Sequence, residues 1–343
     1  MKRFLGPAII LTLFLLTAGP HHSILAGNTQ PTTPALGVAV EFMDHAAAAF
    51  VAREKGWFED AGLKISAYHA YSTGMALAAA LARNDIQVSF MCLVPAINVY
   101  ANAGVPISIL AGTHKYGYGL VVDPRRVRTV HDLEQPGIRI GCVREGGAVD
   151  VVMLHKTVDA YHLNRRNVLM NVRRMNPSQQ VMALRSGQLD AAFLPEQWAS
   201  MAEDLGKRML LTSHDVWPRI QGSVLAIKRD LARDHPDVAD KLVAITKNAT
   251  AWINDHPDEA AAIVAGHLST YTDEALRTKG PGSDNDWDIT PGTIARSMTR
   301  MIFATDIEMG MVQEVIDYMV GLGYIKRRIP AGDILPMRHQ DAP

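Results

Sequence analysis

The side chains able to do chemistry in this sequence fall at the ends of short apolar runs. Ser72-Thr73-Gly74 stands ahead of an Ala/Leu-rich stretch, and Arg144-Glu145-Gly146-Gly147 stands ahead of another that begins at Ala148. A helix start presents free amides and the positive end of the peptide dipole, so either loop suits an anion. Gly146-Gly147 would let a ligand approach the backbone, and Arg144 would complete an oxyanion clamp. The same loops also serve as ordinary caps and tight turns. Asp44, Glu145 and Glu196 pull the other way, because two carboxylates in one site want N–H donors or a cation. Trp198, Tyr116 and Tyr118 offer faces for a flat ring or a cationic nitrogen, worth ~0.5–2 kcal/mol per good contact. His45 beside Asp44 is either a donor held in one tautomer by the carboxylate or a local loop hydrogen-bonder. Together these groups favour a nitrogen heterocycle or amine over nitrate or a sulfonate, by a small margin. Cys92, His45 and His114 share no Cys-x-x-Cys or His-x-x-x-His spacing, so no metal site is expected. No Gly-x-Ser-x-Gly elbow, phosphate-binding Gly-x-x-x-x-Gly-Lys loop or His-Glu-x-x-His motif is present, so the expectation is a binder and not an enzyme, with no cofactor.

The elements that must position these residues alternate short apolar runs with helical patterns, which is the layout of an α/β protein with mainly parallel strands. Strands are expected at 36–42, 63–68, 88–91, 107–111, 119–122, 138–143, 168–172, 191–194, 209–212 and 223–227. Helices are expected at 46–55, 74–83, 148–160 and 178–186, with Ser72 or Thr73 as a cap, and the chain reads as helical from Arg229 onward. The Gly/Pro/Asp-containing stretch 268–288 reads as a long loop, and Trp217 and Trp287 could edge a cleft. Met1-Lys2-Arg3 followed by the apolar run Phe4 to Ala18 has the layout of a secretory signal peptide, and that run is too short to span a bilayer comfortably. Residues 1–26 are therefore expected to direct export to the periplasm. Charge is balanced, 34 Lys+Arg against 35 Asp+Glu, with no polybasic run, which argues against nucleic acid or an anionic membrane as partner. Two cysteines in 343 residues cannot make a disulfide framework, so the core must hold the fold.

A family resemblance rests on six phrases in order. Met43-Asp-His-Ala-Ala47 with Phe50-Val-Ala-Arg-Glu-Lys-Gly-Trp-Phe58 and Ala61-Gly-Leu63 resembles the opening of the nitrate/sulfonate/taurine and thiamine-pyrimidine-precursor binding proteins of ABC importers. Ser72-Thr-Gly74, Asp85-Ile-Gln-Val-Ser-Phe90 (with Asn84 where glycine is usual), Asp132-Leu-Glu-Gln-Pro-Gly-Ile-Arg-Ile140 and Ala183-Leu-Arg-Ser-Gly-Gln-Leu-Asp-Ala-Ala192 followed by Glu196 are similar to later elements of that family. The resemblance implies an α/β periplasmic-binding-protein type II fold, two three-layer lobes around a hinged cleft. Lobe one would be 36–116 plus 225–330, lobe two 117–224, and 331–343 a polar tail, with hinges near Tyr118 and Gly222. By position it implies ligand contacts at Asp44, His45, Ser72, Thr73, Gly74, Cys92, His114, Tyr116, Arg144, Glu145, Gly146, Gly147, Glu196, Trp198 and Gln221. Its implied partners are a small-molecule ligand and a membrane permease, with the chain a monomer. The alternatives are a receptor for a small oxyanion (sulfonate, nitrate or bicarbonate) and a sensor feeding a membrane kinase. The fungal pyrimidine synthases share the fold but carry a CCCFC stretch that this chain lacks.

Overall fold

The computed structural model describes residues 34–277 and 289–335. The expected signal peptide, Trp287 and the end of the tail lie outside these residues. Eleven strands, β1 (Ala35–Glu41), β2 (Lys64–Tyr71), β3 (Val88–Cys92), β4 (Ile107–Tyr116), β5 (Tyr118–Val122), β6 (Ile140–Cys142), β7 (Val172–Arg174), β8 (Ala191–Pro195), β9 (Arg208–Thr212), β10 (Gln221–Lys228) and β11 (Met301–Ile302), form two sheets. The six-stranded sheet runs β11-β4-β10-β3-β1-β2 and the five-stranded sheet β7-β6-β8-β5-β9. In the first, β1 pairs in parallel with β2 and β3 while β10 runs antiparallel between β3 and β4. In the second, β6 is parallel to β7 and β8, and β5 antiparallel to β8 and β9. Strands β3, β5 and β8 are buried along their whole length. That explains why they read as unbroken apolar runs: helices cover both sheet faces.

The chain passes from the first sheet to the second in a single residue. Tyr116 (φ +67°) and Gly117 (φ +95°) turn it sharply between β4 and β5. A side chain at Gly117 would bring its Cβ within 2.7 Å of the His45 Nε2 and 3.0 Å of His114, so glycine is required twice over, by conformation and by space. The return is made at the start of β10, where a Cβ at Gly222 would come within 2.2 Å of the same His114 ring. His114 therefore packs against both crossings.

Several local expectations needed correction. Helices Leu93–Ala101 and Glu196–Asp204 start directly off strands β3 and β8, with no turn residue to announce them. The run 168–172 belongs mostly to a helix, Arg165–Met170, whose Asn164 side chain accepts from the Asn167 amide. That cap, with only Val168 buried, outweighs the β-propensity of the short run. Stretch 268–277 continues helix Pro257–Arg277; the rest of the expected loop lies outside the described residues. Thr73, not Ser72, caps helix Gly74–Ala82 by accepting from the Ala76 amide at 3.2 Å. Trp217 is buried away from the cleft. The expected polar tail is tied down at its start, because Ile334 and Leu335 are buried and the Ile334 carbonyl accepts from the Ile109 amide at the sheet edge.

The C-terminal part of the chain touches both sheet systems. Strand β11 pairs with β4. Helix Met309–Gly321 meanwhile presents Glu314 to Trp217 and Lys156, and Tyr318 to Asp159. Beyond it, the Tyr324 hydroxyl donates to Asp150 at 2.6 Å. Among the described residues no helix is long and apolar enough to cross a membrane.

Candidate functional site

A cavity of about 370 Å³ opens between the two sheets. Its first wall comes from the ends of β1 and β3 and the start of helix Gly74–Ala82: Glu41, Met43, Ser72 to Ala76, Cys92 and Pro95. The facing wall is Tyr118, Val143, Arg144, Gly147 to Val149, Asn176, Pro177 and Pro195. This is the crevice beyond the carboxyl ends of the strands, the place where open α/β sheets bind ligands. The volume lies at the low end of the range for small-molecule sites.

Four nine-residue helices direct their first turns at this cavity. They are Gly74–Ala82, Leu93–Ala101, Pro177–Arg185 and Glu196–Asp204, whose cap or first residues Thr73, Cys92, Asn176 and Pro195 all line it. Arg144 adds an exposed guanidinium. The positive dipole ends and the cation add positive potential to the cavity, opposed by the Glu41 carboxyl in the same wall.

Of the sequence-derived candidates, Ser72, Thr73, Gly74, Cys92, Arg144 and Gly147 line the cavity. The others are engaged elsewhere. Asp44 is turned by the 3-10 segment Asp44–Ala46 toward the Ser297 hydroxyl, which donates to its Oδ2, and its amide donates to Gln197. Burial pushes the Asp44 carboxyl up to about 7. Glu196 is buried against Arg300 at 2.8 Å, and desolvation raises it to about 7 despite that guanidinium. Arg300 also holds Glu203. Trp198 packs on Phe42, and Tyr116 stacks on His214 at 3.5 Å between ring centres. Glu145 is exposed beside Arg174. The Gly146 amide donates to Asp150 and its carbonyl accepts from Asn98. Gln221 donates to the carbonyls of His114 and Ser223.

His45 and His114 lie one layer behind the cavity wall. The His45 Nε2 donates to the Gly117 carbonyl at 2.6 Å and its Nδ1 faces the Cys92 sulfur at 3.4 Å. Burial lowers the His45 pKa to about 4 and drives that of His114 well down, so both imidazoles are neutral. The His114 ring sits 4.5 Å from His45, and its Nε2 has no hydrogen-bond partner.

Glu41 is a charged cavity-lining side chain that the sequence candidates did not include. It ends the buried strand β1, and its carboxyl accepts from the Cys92 amide at 3.1 Å and the Cys92 thiol at 2.9 Å. Desolvation raises its pKa, with the two Cys92 hydrogen bonds opposing. An acidic residue closing the apolar run Leu36 to Val40 was the available signal, since a charge in a buried strand needs a reason. Asn176 and Pro177 carried only a capping signal. Cys92 and Cys142 are both free thiols, buried in different sheets.

Comparison with known proteins agrees with this geometry. The model of the NMT1-like family matches residues 29–269. A search of curated proteins gives no match. Among solved structures, the chain is similar to the zinc-bound ligand-binding component of an ABC-type import system from Staphylococcus aureus (TM-score 0.71, 16% identity, 90% of this chain and 99% of that one). It is also similar to the periplasmic nitrate-binding protein NrtA from Synechocystis PCC 6803 (0.70, 14%, 88% and 84%). A third is the periplasmic aliphatic sulphonate-binding protein SsuA from Escherichia coli (0.69, 16%, 88% and 97%). With the family model spanning most of the sequence and the two-sheet architecture shared with these structures, the chain belongs to the NMT1-like family and has the periplasmic-binding-protein fold.

Proposed function

We propose that the protein is the exported solute-binding component of an ABC importer and that its ligand carries an anionic group, a sulfonate or carboxylate on a small organic body. The observation that carries this reading is the convergence of four helix N-termini and Arg144 on one cavity. Backbone amides at helix starts bind anions without a buried counter-charge. The carboxylates that favoured an amine are elsewhere: Asp44 and Glu196 are spent on Ser297 and Arg300, and Glu145 is outside. The apolar body of such a ligand would rest on Met43, Val143 and Pro95. The structural relatives that bind nitrate and sulfonates support the same class. The two lobes, hinged at Tyr116–Tyr118 and near Gly222, would close over the ligand and present a joint face to the permease.

A nitrogen heterocycle is the second reading, supported by Glu41 and Tyr118 in the cavity wall. A thermal-shift panel of sulfonates, carboxylates, nitrate, bicarbonate and pyrimidines separates the two. A ligand at a hundred times its Kd stabilises the folded state by about 2.7 kcal/mol. The expected result is a rise in Tm with an organic anion that Arg144→Ala abolishes while leaving the unliganded Tm unchanged. A rise with pyrimidines alone, indifferent to Arg144→Ala, would refute the anion.

A further inference from the structure

We propose that Glu41, His45 and Cys92 form a binding site for a thiophilic divalent transition-metal ion, zinc(II) or its surrogate cobalt(II), in the floor of the cleft at the hinge. One ligand atom from each of the three lies within 4.8 Å of the others, and all three residues are buried. The Cys92 sulfur stands 3.4 Å from the His45 Nδ1 and 2.9 Å from the Glu41 Oε2. Tetrahedral zinc with its usual Zn–S and Zn–N/O bonds separates neighbouring ligand atoms by ~3.5 Å. A metal therefore asks the thiol–carboxylate contact to open by roughly 0.6 Å, and the Glu41 and His45 ligand atoms, within 4.8 Å of each other, to settle at a similar separation.

The surroundings favour a metal over a bare thiol in three ways. The Gly117 carbonyl takes the proton on the His45 Nε2, which leaves the Nδ1 lone pair toward Cys92. This is the outer hydrogen bond that metal-ligating histidines use to fix tautomer and orientation. In the metal-free state a proton on Cys92 bridges to the Glu41 carboxyl. Binding replaces that proton: the thiol S–H breaks, its electron pair forms the S–metal bond, and the proton leaves to solvent. Glu41 and Cys92 also line the cavity, so an ion has an entry path and its fourth position faces open space, where a water or the anionic ligand would complete the coordination. The donor set of one sulfur, one imidazole and one carboxylate suits zinc or cobalt and disfavours calcium or magnesium, which require several oxygens. Behind His45, the partnerless Nε2 of His114 is a further buried nitrogen in the same cluster.

The site stands on its own donors and does not require the transport role, so its test uses the metal alone. Cobalt(II) is titrated into the purified, reduced, EDTA-treated mature protein, and the same sample is back-titrated with zinc. The expected result is one equivalent bound with a sulfur-to-cobalt charge-transfer band in the near ultraviolet and tetrahedral d–d bands in the visible, both displaced by zinc. Cys92→Ser removes the charge-transfer band and weakens binding at least tenfold, and His45→Gln weakens it by a similar factor. Cys142→Ser leaves both bands in place. Should either Cys92 or His45 variant fail to fold, iodoacetamide labelling of the wild type is the second measurement, with zinc expected to protect Cys92 and not Cys142. No stoichiometric cobalt binding, or a band that survives Cys92→Ser, would overturn the proposal. Failure of the anion panel with intact metal binding would overturn only the transport ligand.

Discussion

Gly74→Ala tests the close packing of the cleft wall. A methyl group built on Gly74 falls 2.2 Å from the Glu41 Oε1 and 2.6 Å from the Pro95 Cγ, against the 3.4 Å or more of ordinary contact. Neither neighbour yields easily. Pro95 is fixed in helix Leu93–Ala101, and the Glu41 carboxyl is tied through both oxygens to Cys92. Either helix Gly74–Ala82 backs out of the wall or Glu41 gives up a buried hydrogen bond. Overpacking of this kind costs about 1–3 kcal/mol, and stranding a buried acceptor costs about as much. The small helix-propensity gain of alanine recovers under 1 kcal/mol, so the expected net loss is about 0.5–2.5 kcal/mol. The matched control is Gly266→Ala. Gly266 lies inside helix Pro257–Arg277 with nothing within 4 Å of an added Cβ. Here propensity acts alone, and a gain of about 0.5–1 kcal/mol is expected. Urea denaturation followed by circular dichroism measures both. If Gly74→Ala is as stable as the wild type while Gly266→Ala gains, the packing argument at Glu41 and Pro95 is wrong.

Arg300→Ala should cost about 1–3 kcal/mol in the same assay, because Glu196 loses its charge-assisted hydrogen bond and takes up a proton in place of the cation; a loss under about 0.5 kcal/mol would show that the pair is solvated. Glu196→Gln has a pH signature. The raised pKa of Glu196, about 7, means that its ionisation penalty is absent below the unfolded value near 4.5 and complete above 7. The Tm of Glu196→Gln relative to wild type should therefore climb between about pH 4.5 and pH 7 and level off above it, and a difference that is flat or falls across that window would contradict the assigned shift.

How much of this was legible in the sequence depends on which force decides each element. Strands such as Val88–Cys92 and Ala191–Pro195 are written by burial on both faces, and the Thr73 cap by local hydrogen-bonding chemistry, so both could be read. The helices that begin at Leu93 and Glu196 could not, because their starts are set by the strand they leave and not by a turn residue. The site divided along the same line. Ser72, Thr73, Gly74, Arg144 and Gly147 are held by local loop geometry and do line the cavity. Asp44, Glu196 and Tyr116 sit in the expected loops, yet their side chains turn to Ser297, Arg300 and His214, residues 98 or more positions further along the chain. Orientation within a loop is a tertiary property, and one sequence does not encode it locally. Glu41 was missed for the converse reason: it closes an apolar strand whose run reads as core, so its carboxyl was not separated from the strand it ends.

The seat of the C-terminal helix gives the molecule an optical gauge. Trp217 donates its indole N–H to Glu314 at 2.8 Å, lies beneath the Lys156 ammonium at 3.7 Å, and meets the Tyr318 ring edge-on. An ammonium and a carboxylate on opposite parts of an indole shift its emission by their fields, and both leave if helix Met309–Gly321 slides. With Trp57, Trp198, Trp252 and Trp287 replaced by phenylalanine, the colour of Trp217 would track that helix in real time. A stopped-flow trace could then time any movement of that helix against ligand capture, with no label attached.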